Sequence, residues 1–86
     1  MGSEEMTKLE YIRCEKLLNE AISNAETANE LWKKYEKYKK ENNMIEAEIC
    51  MRESDYHRGY AEGINQVLAV IGFKHELMIE LGKMIS

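Results

Sequence analysis

Proline is absent from this 86-residue chain, and glycine occurs only five times. Without proline nothing removes a backbone donor or collides with a preceding turn, so a helix can run far before meeting a breaker. Cysteine is nearly absent too. Cys14 and Cys50 cannot build a disulfide framework, and so sparse a use of thiols suits a reducing compartment, the cytoplasm. No apolar run approaches the ~18 residues that a membrane-spanning helix needs, which excludes a membrane partner of that kind. No basic segment followed by an apolar stretch opens the chain, so no secretory signal is read. Basic residues number 12 against 16 acidic ones, and a net charge of −4 argues against general nucleic-acid binding.

What is present is helical periodicity. Residues 1–6 read as a leader or cloning remnant, with Met6 as a native start, and residues 7–86 as a single helical domain. Thr7-Lys8-Leu9-Glu10 has the form of a capping box, in which Thr7 accepts from the Glu10 amide and the Glu10 carboxylate reaches back. Met6 and Tyr11 sit where a hydrophobic staple would place them. Tyr11, Leu18, Ala25 and Trp32 then recur on one heptad track, and Cys14, Ala21, Ala28 and Tyr35 on the other, predicting a helix over 8–41. Asn42-Asn43 predicts the turn. Asn43 can cap a second helix with Glu46 at the third position, while lysines close the first. That second helix spans 44–71, with Ile49, Tyr56, Tyr60, Gly63, Ile64, Val67, Leu68, Val70 and Ile71 on its buried side. Gly72 ends or kinks it, and 74–85 form a short C-terminal helix or a continuation. The fold class is all-α: an antiparallel helical hairpin, with or without a separate third helix, self-associating into a bundle. A turn at 42–43 sets residues level when their numbers sum to about 85, so Ala25 would face Tyr60 and Ala28 would face His57.

Charge is unevenly spread. Residues 1–62 carry 24 of the 28 charges, and 63–86 carry four among thirteen apolar side chains. A two-helix hairpin buries one seam and leaves the far side of Val67, Leu68, Val70, Ile71, Phe73, Leu77, Met78, Ile79, Leu81 and Ile85 uncovered. Soluble monomers seldom expose apolar patches beyond a few hundred Å². Self-association through the C-terminal half is the simplest solution, and a fold-back in which 74–86 cap the hairpin is its rival. Gly59 and Gly63 fall on one helix face, each costing ~1 kcal/mol relative to alanine. A close backbone, a ligand or a bulky side chain would offset that. The association set is therefore Gly59, Gly63, Ile64, Val67, Leu68, Val70, Ile71, Leu77, Met78 and Leu81.

Two stretches can carry binding chemistry. Trp32-Lys33-Lys34-Tyr35-Glu36-Lys37-Tyr38-Lys39-Lys40 interleaves lysines with aromatics, as phosphate contact and base stacking require. The simpler account, and the favoured one, is a solvated helix end whose lysines complement the dipole. In Arg52-Glu53-Ser54-Asp55-Tyr56-His57-Arg58-Gly59-Tyr60, a guanidinium, aromatic faces and glycine gaps suit a small anionic ligand, although tyrosines at helical spacing also serve as core. The candidate ligand set is Arg52, Tyr56, His57 and Tyr60 with Trp32, Tyr35, Lys33 and Lys37. No C-x-x-C or H-x-x-x-H motif is found, so no metal or other cofactor is expected, and His75 reads as exposed. Glu53 and His57 could pair as base and orienter, yet no nucleophile completes them and no phosphate loop occurs, so no catalytic residue is assigned.

Glu53-x-x-Tyr56-x-x-Gly59-Tyr60-x-x-Gly63-Ile64-Asn65-x-Val67-Leu68 resembles a pattern met in short helical proteins encoded by phages of Gram-positive bacteria. That resemblance implies a non-enzymatic anti-defence inhibitor in the host cytoplasm. Some proteins of that kind sequester nucleotide immune signals as oligomers, which would make the partners a second copy and a nucleotide. The alternatives are an inhibitor that blocks a host defence protein by contact, and a structural coiled-coil adaptor. The resemblance carries no binding residue over to this chain.

Overall fold

A computed structural model describes residues 6–86, so the expected leader lies outside the described residues except for Met6, which packs against the core. Three helices follow in order: α1 Lys8–Lys40, α2 Met44–Val70 and α3 Leu77–Ile85. The first two form the antiparallel hairpin, within a residue of the expected bounds, in a rod of 57 × 16 × 16 Å. The capping box forms as its sequence dictates: the Glu10 amide donates to Thr7 Oγ1 (3.1 Å), and the Thr7 amide donates to Glu10 Oε1 (2.9 Å).

The reversal is compact because one residue serves both helices. Asn42 adopts φ 60°, the left-handed region that asparagine tolerates better than most residues. This lets the Asn42 amide reach Lys39 O (3.1 Å) and the Asn43 amide reach Tyr38 O (2.9 Å), capping the last carbonyls of α1. Asn43 then caps α2, its Oδ1 accepting from the Glu46 amide at 3.3 Å. Because Asn43 is bonded back to Tyr38, α2 starts about one turn down the side of α1 rather than beyond its end. The register moves accordingly. Ser54 lies against Ala28, His57 against Asn24 and Tyr60 against Glu20, so the expected pairings of Ala25 with Tyr60 and Ala28 with His57 are corrected by about one turn.

The face that α2 buries also differs from the expected one. Its buried residues are Ala47, Cys50, Ser54, Ala61 and Leu68, opposite Cys14, Leu18, Ala21, Ala25 and Ala28 of α1. Small side chains on both helices let the backbones approach closely, as ridge-and-groove packing allows. Ser54 is fully buried and its hydroxyl donates to Ala28 O at 2.8 Å, a buried polar tie in this seam. Of the residues expected on the buried side of α2, only Leu68 is buried and Ile64 half-buried. Ile49, Tyr56, Tyr60, Gly63, Val67, Val70 and Ile71 are exposed.

At the far end the chain folds back, so Leu68, Phe73 and Leu81, expected to lie uncovered in the single chain, are buried within it, and Leu77, Met78 and Ile85 are half-buried. Gly72 (φ +78°) closes α2, with the Phe73 amide donating to Leu68 O (2.9 Å) and the Gly72 amide to Ala69 O (3.1 Å). That turn points Phe73 inward, and α3 begins at Leu77, three residues later than expected. Leu18, Leu68 and Leu81 are fully buried there with Phe73 at 4% exposure, and Leu77, Met78, Met84 and Ile85 pack around them. Each large apolar side chain so buried stabilises by about 1.5–3 kcal/mol. His75, expected to be exposed, is half-buried as the entry post of α3. Its Nδ1 accepts from the Leu77 amide (3.1 Å), which leaves the proton on Nε2 to donate to Glu15 Oε2 (3.0 Å). Its ring stacks on Phe73 with centroids 5.8 Å apart.

Candidate functional site

The small-residue seam has a direct consequence for the surface. Since α2 turns its small face inward, its large side chains face out, and they keep a second helical order. Ile45, Ile49, Arg52, Tyr56, Gly59, Gly63, Gln66 and Val70 recur at alternating spacings of four and three, a heptad stripe on the side away from α1. All eight are exposed, with Ile45 at 76%, Tyr56 at 68% and Val70 at 85%. A Cβ placed on Gly59 or on Gly63 would meet nothing within 4 Å. So the gaps these glycines leave are not filled by any part of the described chain.

Beside this stripe, Leu17 of α1 and Gly59, Tyr60, Gly63, Ile64, Val67 and Leu68 of α2 line an open, mostly apolar groove of about 470 Å³. The Tyr60 hydroxyl at its edge reaches Glu20 Oε1 at 3.5 Å. Among the expected association residues, Gly59, Gly63, Val67, Val70 and Ile71 are on the surface, Ile64, Leu77 and Met78 are half-buried, and Leu68 and Leu81 belong to the core of the single chain.

The expected ligand residues do not gather in one place. Arg52, Tyr56 and Tyr60 lie on the outward side of α2, where Arg52 pairs with Glu48 Oε1 at 2.7 Å. His57 is half-buried against α1, its Nδ1 2.7 Å from Asn24 Oδ1, so Nδ1 donates there and the ring is bonded to Asn24, not to Glu53. Trp32 and Tyr35 pack together at 4.7 Å toward the turn end. With Glu36, Lys39 and Lys40 they line a second open groove of about 500 Å³. Arg58 lies 5.8 Å over the Trp32 ring and Lys39 5.7 Å over the Tyr35 ring. Helical side chains lean toward their own N-termini. On antiparallel helices, Trp32 and Arg58 therefore lean toward each other across the seam. Lys33 and Lys37 are exposed on α1. Thus the chain brings Trp32 and Tyr35 together with Arg58 and Lys39, and does not bring them to Arg52, Tyr56 or Tyr60.

Half-buried Arg58 and the exposed Lys39, Ile45 and Ile49 are among the residues that the candidate sets omit. The heptad spacing from Ile45 to Val70 was present in the sequence and would have located the stripe. Among the described residues, no group of three or more His, Cys, Asp or Glu gathers as a metal site, both cysteines are buried and unbridged, and no buried polar side-chain atom lacks a partner. No described helix is long and apolar enough to cross a membrane.

Fold and surface together define a class: a small all-α hairpin clasped by a third helix, whose second helix carries an outward heptad stripe. No family model, curated protein or solved structure matches the chain.

Proposed function

We propose that this protein is a non-catalytic helical binding protein that works as a self-associated hairpin. One observation carries the reading. The hairpin closes its own seam with small residues and leaves Ile45, Ile49, Tyr56, Val67 and Val70 exposed along one face. Several large apolar side chains left on one face in this way suit a site of protein contact. Self-association covers the outer face of α2 and leaves the charged outer face of α1 for a target. The design suits a phage-type inhibitor acting in the host cytoplasm, which blocks a defence protein by contact. Light scattering and sedimentation test the first half: a strict monomer at tens of micromolar would sink the reading.

A second reading rests on the Trp32–Tyr35 groove. Aromatic faces with Arg58, Lys39 and Lys40 around them offer stacking and phosphate contact, the chemistry for sequestering a nucleotide immune signal. A panel of cyclic nucleotides in a thermal-shift assay discriminates the two. A ligand that raises the melting temperature of the parent, but not of Trp32→Ala, supports sequestration. No shift with any nucleotide, together with a stable complex with a host protein, refutes it.

A further inference from the structure

Given self-association, we infer that the occupant of the α2 stripe is the α2 of a second copy, running antiparallel and in full overlap. Antiparallel heptad pairing sets each residue opposite the one whose number completes a constant sum. Full overlap of Met44–Val70 fixes that sum at about 115. Ile45 of one copy then meets Val70 of the other, Ile49 meets Gln66, Arg52 meets Gly63, and Tyr56 meets Gly59. The two bulkiest members of the stripe each fall on a glycine. The two glycines, open in the single chain, each receive a side chain, and the apolar ends cover each other.

The competing arrangement fits worse. Parallel pairing stacks each position on itself, so Arg52 meets Arg52, Tyr56 meets Tyr56, and the glycine layers face glycine layers with nothing to fill them. Like charges in a shared layer oppose association, whereas the antiparallel register holds the two Arg52 side chains in separate layers. The α2 strip of 27 residues is about 40 Å long and about 10 Å wide. Two such strips cover roughly 800 Å² in projection, more once side chains interdigitate, which is the low end of specific interfaces and fits a weak, reversible contact rather than an obligate dimer.

Disulfide trapping in the full chain tests the register, with the parent as control for its two buried thiols. Ile45→Cys and Val70→Cys are made separately and then mixed. The inference expects the mixture to give a covalent dimer of one copy of each, and neither variant alone to cross-link. Within one chain the two positions are about 37 Å apart, so an internal bridge cannot form. Cross-linking of Ile45→Cys with itself would establish the parallel pairing and overturn the register. A dimer in sedimentation without a mixed cross-link would overturn the α2 interface yet leave self-association standing. A monomer throughout would remove both. As a second readout, Gly63→Leu fills the gap opposite Arg52 and is expected to weaken dimerisation at least tenfold while helix content in circular dichroism stays level. Unchanged dimerisation in Gly63→Leu would also overturn the register.

Discussion

Replacing Gly59 and Gly63 by alanine separates what the single chain needs from what the proposed dimer needs. Glycine in a helix interior is about 1 kcal/mol less favourable than alanine, because its backbone is freer when unfolded. A new Cβ at either site meets nothing within 4 Å, so no clash opposes that gain in the separate chain. The double variant should therefore be about 2 kcal/mol more stable as a monomer. For a domain this size, each kcal/mol moves the melting temperature by about 4–8 °C, giving a rise of roughly 8–16 °C. In the proposed dimer the same methyls stand where Tyr56 and Arg52 of the other copy are to sit, so association should weaken. Thermal melts followed by circular dichroism, run dilute and concentrated, read both effects at once. The parent's melting temperature should rise with concentration; that of the variant should start higher and rise less. A variant less stable than the parent in dilute solution would refute the reasoning, since the space at the glycines would then be used within the chain.

Other substitutions test the fold. Ser54→Ala removes the hydroxyl that donates to Ala28 O, and should cost about 0.5–1.5 kcal/mol in urea unfolding. Ser54→Leu should cost more, because the seam against fully packed Ala28 has no room for it. At Asn42, with φ 60°, alanine should destabilise by about 1 kcal/mol and glycine should match or exceed the parent; an alanine variant as stable as the parent would contradict the left-handed cap. Leu81→Ala empties a fully buried position and should cost about 2–5 kcal/mol, with amide exchange accelerating first around α3 and the N-terminal part of α1.

The parts of this fold legible in the sequence are those set by near neighbours. Thr7 with Glu10, and Asn43 with Glu46, are three-residue relations, and both caps form. Although Tyr11 and Trp32 of its heptad lie exposed, the inward face of α1 was plain along its middle, where the two heptad tracks give Cys14, Leu18, Ala21, Ala25 and Ala28. The inward face of α2 was not. Ranking residues by apolar bulk selects Ile49, Tyr56 and Val67, whereas the face chosen is the one whose small side chains match Ala21, Ala25 and Ala28. That preference belongs to the pair of helices and to neither alone. The register slipped for a related reason: the Asn43–Tyr38 hydrogen bond sets where α2 begins, and residue spacing does not encode it. His75 reads as polar in a charged stretch, and only the fold-back of α3 brings Glu15 to it. The candidate binding residues were legible as residue types. Their separation into an α2 stripe and a Trp32–Tyr35 groove depends on which way each helix is turned.

The slenderness of the rod doubles as a ruler. A monomer 57 Å long and 16 Å thick that pairs along α2 with antiparallel overlap grows to only about 70 Å, since the midpoint of α2 lies close to that of the whole rod. Scattered intensity would report twice the mass while the longest distance in a small-angle scattering profile lengthens by about a fifth. End-to-end joining would nearly double that distance at the same mass. Mass and length measured on one sample therefore tell which face of the molecule meets its neighbour.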